Sequence, residues 1–164
     1  MYKIVLDTNI IVDYLMGREP ACNDCRKLLL EHEKGRHAIC ASALSLKDAY
    51  YLVGMQLKRM ERQSSGVLSD SMAKAANEIA WACMRQLVDS MLVIPIGRGE
   101  SLRAFTYRDI HDDFEDNLVV AAAADAKADY LVTNDEALLK HAPIACLSSS
   151  DMLALLHAEE LVGM

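Results

Sequence analysis

The feature that most constrains the fold is an alternation of short, continuously apolar runs with longer segments of helical periodicity. The short runs lie at 3–6, 37–41, 91–95, 130–133 and 144–147. Strands that are apolar throughout are typical of sheets covered by helices on both faces, and the intervening segments are long enough for crossover helices. The sequence therefore predicts an α/β fold, a three-layer α/β/α sandwich around a central, mainly parallel sheet.

Helical patterns fill most of the chain between the apolar runs. They are predicted at 9–15, 20–34, 43–59, 70–90, 98–107, 114–127, 136–140 and 150–160, with the stretch 63–66 the only one of flexible composition. With 164 residues, 52% of them hydrophobic, and no repeat or long linker, the chain is expected to form one domain over 1–164. No apolar run approaches the ~18 to 20 residues of a membrane span, so we expect a cytoplasmic protein with no membrane partner.

The cysteines predict reduced thiols rather than a disulfide framework. Their number, five, is odd and their spacing is irregular. Cys22 and Cys25 lie inside a helical pattern without a second Cys or His pair at zinc spacing, so a thiol pair is the simpler interpretation.

Acidic residues follow the predicted strands. Asp7 ends the first strand and Asp135 follows the fourth, while Asp113 and Asp116 open the helix before the fourth strand. Each of these four also suits a helix N-terminus, where a carboxylate caps free N–H groups. Asp48 differs, because it lies inside a helix among apolar neighbours, where an unpaired carboxylate is costly.

Convergence of these acids would require a cation. Two like charges about 5 Å apart repel by roughly 3 kcal/mol at an effective dielectric of 20. Oxygen ligands of this kind favour Mg²⁺ or Mn²⁺.

Polar residues beside these acids have two open interpretations. Thr8, Asn9, Ser42 and Thr133 either orient the carboxylates or serve as turn and cap residues. His111 adjoins the acidic run, where a surface-loop histidine is favoured over a substrate contact.

Four stretches together resemble the PIN-domain family of nucleases, and particularly the VapC-type toxins of bacterial toxin–antitoxin pairs. They are 5–15 (VLDTNIIVDYL), 41–51 (ASALSLKDAYY), 113–118 (DFEDNL) and 128–135 (ADYLVTND), in the order and spacing of that family. The resemblance implies a single PIN-like domain with about five parallel strands. It also implies a metal-dependent endoribonuclease that acts on RNA and is neutralised by an antitoxin protein.

The resemblance also assigns site residues. The positions of the catalytic metal ligands are taken by Asp7, Asp48, Asp116 and Asp135. Asp113 takes the position of an accessory acid that also binds metal. The sequence departs from the family at Asp48, where Glu is more common, and the position of Asp135 is variable in the branch that it most resembles.

The net charge of −7 is unusual for a nucleic-acid binder. Two divalent ions would add +4 to the site, and RNA could approach over basic residues that are equally plausible as solvated helix faces. These residues are Lys58, Arg59, Arg62, Arg98, Arg103 and Arg108.

Two other functions stay open at this point. One is a Mg²⁺-dependent phosphatase of similar fold, although the sequence pattern of those phosphatases has a second Asp two residues after the first, where this chain has Asn9. The other is a catalytically idle PIN-like binding module. A homodimer or higher oligomer is also expected. Side chains at helical spacing line either a helix–helix interface or the core, and the sequence leaves both open; they are Tyr50, Tyr51, Met55, Met60, Met72 and Met84.

Overall fold

A computed structural model describes residues 1–109 and 111–162, and it confirms the predicted alternation of strands and helices. The elements in chain order are β1 (Lys3–Leu6), α1 (Thr8–Leu15), α2 (Ala21–Glu33), β2 (Ala38–Ser42), α3 (Ala43–Ser65), α4 (Asp70–Ser90), β3 (Leu92–Ile94), α5 (Arg98–Thr106), α6 (Phe114–Asp125), β4 (Tyr130–Val132), α7 (Glu136–His141), β5 (Cys146–Leu147) and α8 (Ser149–Val162). Among these described elements, no helix has the length and apolar composition needed to cross a membrane.

The five strands form one sheet in the order β3-β2-β1-β4-β5, and every neighbouring pair is parallel. In the middle of the sheet Val5 of β1 lies opposite Cys40 of β2 and Leu131 of β4. The predicted three-layer α/β/α sandwich with five parallel strands is therefore confirmed.

The alternation of side chains along β1 divides the core between the two faces of the sheet. Ile4 and Leu6 pack on one face with residues of α1, α2 and α8, among them Leu28 and Met152. Val5 packs on the other face with residues of α6 and α7. Because both faces are covered, the strands are apolar throughout, as the sequence pattern indicates.

Helix α3 is longer than predicted. It continues to Ser65 instead of ending near residue 59, and Gly66 ends it with a left-handed φ of 77° while its N–H bonds to the Arg62 carbonyl (3.0 Å). The hydroxyls of Ser64 and Ser65 both donate to the Glu61 carbonyl, which satisfies a backbone group of the last turn. The stretch predicted to be flexible is therefore the end of a helix that packs along α4.

The five cysteines are free thiols, as predicted. Cys22 and Cys25 are buried in α2, and burial raises the pKa of Cys25 to about 12. A thiol with so high a pKa is protonated at neutral pH and is a poor nucleophile or metal ligand.

The order of the strands fixes the place where a ligand can bind. The chain moves from β1 outward to β2 and β3, then returns across the sheet to β4 and moves outward again to β5. In open α/β sheets, ligands bind at such a reversal, outside the carboxyl ends of the two strands that flank it. Here those strands are β1 and β4, which are followed by Asp7 and Thr133.

Candidate metal centre

Asp7 is held rigidly at the carboxyl end of β1. It is only 2% exposed, and its Oδ1 accepts the N–H of Thr8 (2.6 Å). Its Oδ2 accepts hydrogen bonds from the Asn9 amide (2.8 Å) and the Thr133 hydroxyl (2.7 Å). Burial raises the pKa of Asp7 above its ordinary value, against the opposing effect of the bonds from Thr133 and Thr8. Three of the four predicted supporting residues thus contact a predicted ligand, Asn9 and Thr133 through their side chains and Thr8 through its backbone N–H.

Asp116 lies in the first turn of α6 and faces the same end of the sheet. Its pKa is raised to about 6, first by burial and then by the negative charge of Asp7. Asp135 follows β4 and caps α7, where its Oδ1 accepts the N–H groups of Ala137 (2.8 Å) and Leu138 (2.9 Å). The charge of Asp135 raises the pKa values of both Asp7 and Asp116, so the three carboxylates are mutually close enough to interact.

His111 lies between two of these acids, which sequence reasoning missed. Its Nδ1 is 3.3 Å from Asp116 Oδ2 and its Nε2 is 3.8 Å from Asp135 Oδ1. It lies in the loop before α6, where the sequence favoured a surface-loop histidine, and its side chain is 21% exposed. The only signal in the sequence is its position two residues before Asp113.

Asp48 is buried as predicted, at 7% exposure, and forms an ion pair with Lys47 through Oδ1. The Lys47 ammonium has its own pKa raised by this pairing. Glu115 of α6 lies beside Asp48, and its pKa is raised to about 7 by burial and by the Asp48 carboxylate. Glu115, which was not among the predicted ligands, therefore adds a further acid to the site.

The other predicted residues have capping contacts. Asp113 is the N-cap of α6, and its Oδ1 accepts the Glu115 N–H (2.8 Å). Ser42 is the N-cap of α3, and its Oγ accepts the Ser45 N–H (2.9 Å). Asp113 nevertheless contributes to the raised pKa of Asp116, whereas the hydrogen bonds of the Ser42 side chain are to Ser45.

A cleft of about 360 Å³ opens at this end of the sheet. It is lined by Asp7, Thr8, Asn9, Val12, Asp13, Arg18, Leu52, Met55, Gln56, Glu115 and Asp116. Of these, the cation Arg18 pairs with Asp13 (3.1 Å), so it does not neutralise Asp7 or Asp116.

The donor atoms fit a divalent cation. One ligand atom each from His111, Asp116 and Asp135 lies within 4.8 Å of the others. Across the described residues, three buried side-chain oxygens lack a partner by distance and angle, namely Thr8 Oγ1, Asp48 Oδ2 and Asn117 Oδ1, and Thr8 lines the cleft. Carboxylate oxygens are the ligands of Mg²⁺ and Mn²⁺.

The chain is thus an α/β sandwich in which acidic side chains converge where the strand order reverses, between β1 and β4. Among protein families, the model of the PIN domain matches residues 3–137 of the chain. The chain belongs to the PIN-domain family. Among curated proteins, none matches it by sequence.

Solved structures of similar fold come from toxin–antitoxin complexes. A chain of VapBC2 from Rickettsia felis, bound to a DNA fragment from its promoter, matches with a TM-score of 0.61 and 16% identity, over 89% of this chain and 98% of that one. A chain of VapBC-1 from nontypeable Haemophilus influenzae matches with a TM-score of 0.57 and 15% identity, over 90% of this chain and 98% of that one. A chain of a toxin–antitoxin complex from Klebsiella pneumoniae matches with a TM-score of 0.51 and 15% identity, over 89% of this chain and 97% of that one. At these identities the likeness is one of fold.

Proposed function

We propose that this chain is a divalent-metal-dependent endoribonuclease and the toxin of a toxin–antitoxin pair. The observation that carries the proposal is the convergence of Asp7, Asp116 and Asp135 at one end of the sheet, with the pKa values of Asp7 and Asp116 raised. Groups with perturbed pKa values in a cleft are typical of catalytic sites. Membership of the PIN-domain family and the fold shared with VapBC chains support the same assignment.

Asp7, Asp116 and Asp135 would hold Mg²⁺ or Mn²⁺, with Asp48 and Asp113 as the outer acids. When bound, the ion supplies charge stabilisation for the phosphate oxygens and lowers the pKa of water. The task of this chain's own residues is to orient the ligands. Thr133 and Asn9 fix the Asp7 carboxylate from two directions, so the carboxylate cannot rotate away from the cleft.

Single-stranded RNA is the substrate that the surroundings of the cleft favour. Met55 lines both the cleft and a neighbouring groove of about 440 Å³, which also contains Tyr51, Lys58 and Arg62. Tyr51 is 63% exposed and offers a surface on which a base can stack, while the two cations can pair with phosphates. This local arrangement lets an acidic chain bind RNA despite its net charge of −7.

The phosphatase alternative is less compatible with the site. In that mechanism the aspartate after β1 attacks phosphorus, and a second Asp two residues later assists. Here Asn9 occupies that later position, and its amide donates to the Asp7 carboxylate instead of offering a proton-transfer group. A nucleotidase would release inorganic phosphate from small phosphoesters, which an assay can detect.

A protein partner is supported by apolar side chains exposed on α3 and α4. Trp81, which is 64% exposed, and Met72 are exposed on α4, and Met60 is exposed on the facing helix α3, outside the groove assigned to RNA. Of the methionines that the sequence placed at either an interface or the core, Met55, Met60 and Met72 are exposed while Met84 packs against the core. A cluster of this kind marks an interaction surface, and we assign it to the antitoxin or to a second copy of the chain.

The test is cleavage of an end-labelled single-stranded RNA by protein stripped with chelator and then given Mn²⁺ or Mg²⁺. Asp7→Asn and Asp116→Asn should each lower the rate of RNA cleavage by more than about 100-fold. That loss exceeds the ~10- to 100-fold typical of removing a residue that only hydrogen-bonds to a metal ligand. Asp89→Asn, which removes an exposed acid on α4, is the matched control. If both site variants cut RNA at the parent rate, the proposed function is wrong. Phosphate release from small esters without RNA cleavage would favour the phosphatase instead.

A further inference from the structure

Helix α4 turns most of its surface to solvent. Its 21 residues bury only Ala76, Ala80 and Leu87, whereas the opposite side of the helix is exposed. A groove of about 710 Å³ runs along that side, and every residue that lines it belongs to α4. The described part of the chain therefore leaves this side of the helix without a packing partner.

Two apolar rows run along the exposed side of α4. Trp81 and Val88, seven residues apart, form a row of large side chains and are 64% and 51% exposed. Ala75 and Ala82, also seven residues apart and exposed, form a row of small side chains. When two copies of such a helix pack together, each large side chain can lie against a small one, as close packing requires.

Four charged side chains lie between the two rows. In chain order they are Lys74, Glu78, Arg85 and Asp89, and all four are exposed. Positions at equal distances on either side of the midpoint between residues 81 and 82 carry opposite charges. Within residues 1–109 and 111–162, none of the four takes part in an ion pair. Their charges are therefore available to a partner.

An antiparallel pair of α4 helices matches this order of charges. In a two-fold symmetric contact, residue i of one copy meets residue j of the other, and j meets i. With the symmetry axis between Trp81 and Ala82, Glu78 of each copy faces Arg85 of the other, and Trp81 faces Ala82. A parallel pair would instead bring Glu78 to Glu78 and Arg85 to Arg85. Because like charges in an interface repel, the antiparallel arrangement is the one that the sequence of α4 favours.

We infer that the partner of this face is a second copy of the chain, packed through α4 as an antiparallel, two-fold symmetric pair. This dimer rests on the interaction surface of the proposed function, whose partner it names, and it does not require the metal centre. A different protein would need no mirrored charges on α4, whereas a second copy does. Lys74 and Asp89 lie farthest from the axis, where solvent-exposed ion pairs contribute little, so Glu78 and Arg85 set the specificity.

The test reverses the two central charges one at a time in the full chain. Glu78→Arg places an arginine against Arg85 of the other copy, twice by symmetry, and Arg85→Glu brings glutamates together in the same way. Each should raise the Kd of the dimer at least about tenfold in analytical ultracentrifugation, whereas the double variant should return to within about threefold of the parent. Arg98→Glu, a charge reversal at an exposed position of α5, is the matched control and should keep the parent Kd.

A mixture of the two single variants gives a second readout. Glu78→Arg carries arginine at both positions and Arg85→Glu carries glutamate at both, so a mixed dimer contains two Arg–Glu pairs. Equal amounts of the two should form this dimer at a concentration where each alone is a monomer. A general loss of stability cannot produce such a recovery.

Three results would overturn the α4 pair. One is a parent that sediments as a monomer at every concentration, and another is a parent dimer that neither single variant weakens. The third is a dimer that both folded single variants weaken but that neither the double variant nor the mixture restores.

Sedimentation is measured in chelator and without RNA, so it decides the dimer separately from the nuclease. If the parent forms the predicted dimer but cuts no RNA, only the nuclease is wrongly assigned. If it cuts RNA as a monomer, only the α4 pair is wrongly assigned.

Discussion

The hydroxyl of Thr133 donates a 2.7 Å hydrogen bond to Asp7 Oδ2, and this bond joins the residue after β1 to the residue after β4. The same hydroxyl accepts the Asn9 amide (3.1 Å) and the Asp135 N–H (3.0 Å). One buried threonine therefore contacts two of the three converging acidic residues, the carboxylate of Asp7 and the backbone of Asp135. The chemistry of the site depends on this contact across the switch point of the sheet.

Replacing Thr133 by valine should destabilise the protein by about 1 to 3 kcal/mol. Valine fills nearly the same volume but leaves the buried Asp7 carboxylate without one of its donors, and an unsatisfied charged group is costly. Urea unfolding in chelator measures the change. Thr133→Ser keeps the hydroxyl and is the control, with an expected loss well below that of valine. Equal stability of Thr133→Val and the parent would show that the hydroxyl does not support Asp7.

Asp116 should make the metal-free protein more stable at lower pH. The pKa of the Asp116 carboxyl rises from 3.8 to about 6 on folding, so the folded protein binds more protons than the unfolded chain. Its contribution to the free energy of unfolding therefore grows as the pH falls below about 6, and it is complete only below the pKa of the unfolded chain. Above pH 7 the ionised group is destabilising. Asp116→Asn removes this cost, so it should stabilise the metal-free protein at pH 7.5 by about 1 to 2 kcal/mol. The gain is limited to this range because water reaches part of the Asp116 side chain.

The measurement is the difference in unfolding free energy between Asp116→Asn and the parent at pH 7.5 and at pH 5. The advantage of the variant should shrink at pH 5, where the parent carboxyl is already protonated. An advantage that is the same at both values would mean that the pKa of Asp116 is not raised.

Trp81 should matter for association and not for catalysis. Its ring is 5.4 Å from that of Tyr50, at the exposed face between α4 and α3. Trp81→Arg places a charge on this apolar surface and should lower the molar mass measured by light scattering, or weaken antitoxin binding at least tenfold, while the rate of RNA cleavage is unchanged. Lys74→Ala, at an exposed polar position of the same helix, is the control. If neither the molar mass nor the affinity for the antitoxin changes in Trp81→Arg, this surface does not bind a protein partner.

The sheet could be predicted from the sequence because its strands are buried on both faces. Ile4, Val5 and Leu6 are all fully buried, so the run carries a strand signal that needs no tertiary information. The end of α3 could not be predicted in the same way. Ser64 and Ser65 usually favour turns, but here their hydroxyls bond back to a carbonyl of the helix and let it continue to Gly66.

Asp7 and Asp135 could be proposed from their positions after strands, because parallel strands bring their ends to one edge, whereas Asp116, in the first turn of α6, is assigned from the resemblance to the PIN-domain family. His111 could not be proposed, since the Asn117 amide holds its backbone carbonyl and the Asp113 N–H orients its ring, and both contacts exist only once α6 has formed. The pairing of Asp48 with Lys47 is also a matter of side-chain geometry, because neighbours in a helix usually point in different directions.

The central claim is that Asp7, Asp116 and Asp135 form a metal centre and are not merely three helix-end acids. The most direct measurement is the melting temperature of the chelated protein before and after Mn²⁺ is added, for the parent and for Asp116→Ala. At a hundredfold excess over Kd, bound metal adds about 2.7 kcal/mol, or about 5 to 10 °C in a domain of this size. We predict such a rise in the parent and little or none in Asp116→Ala. No shift in the parent, together with a clear loss of stability on Asp116→Ala in chelator, would contradict the account.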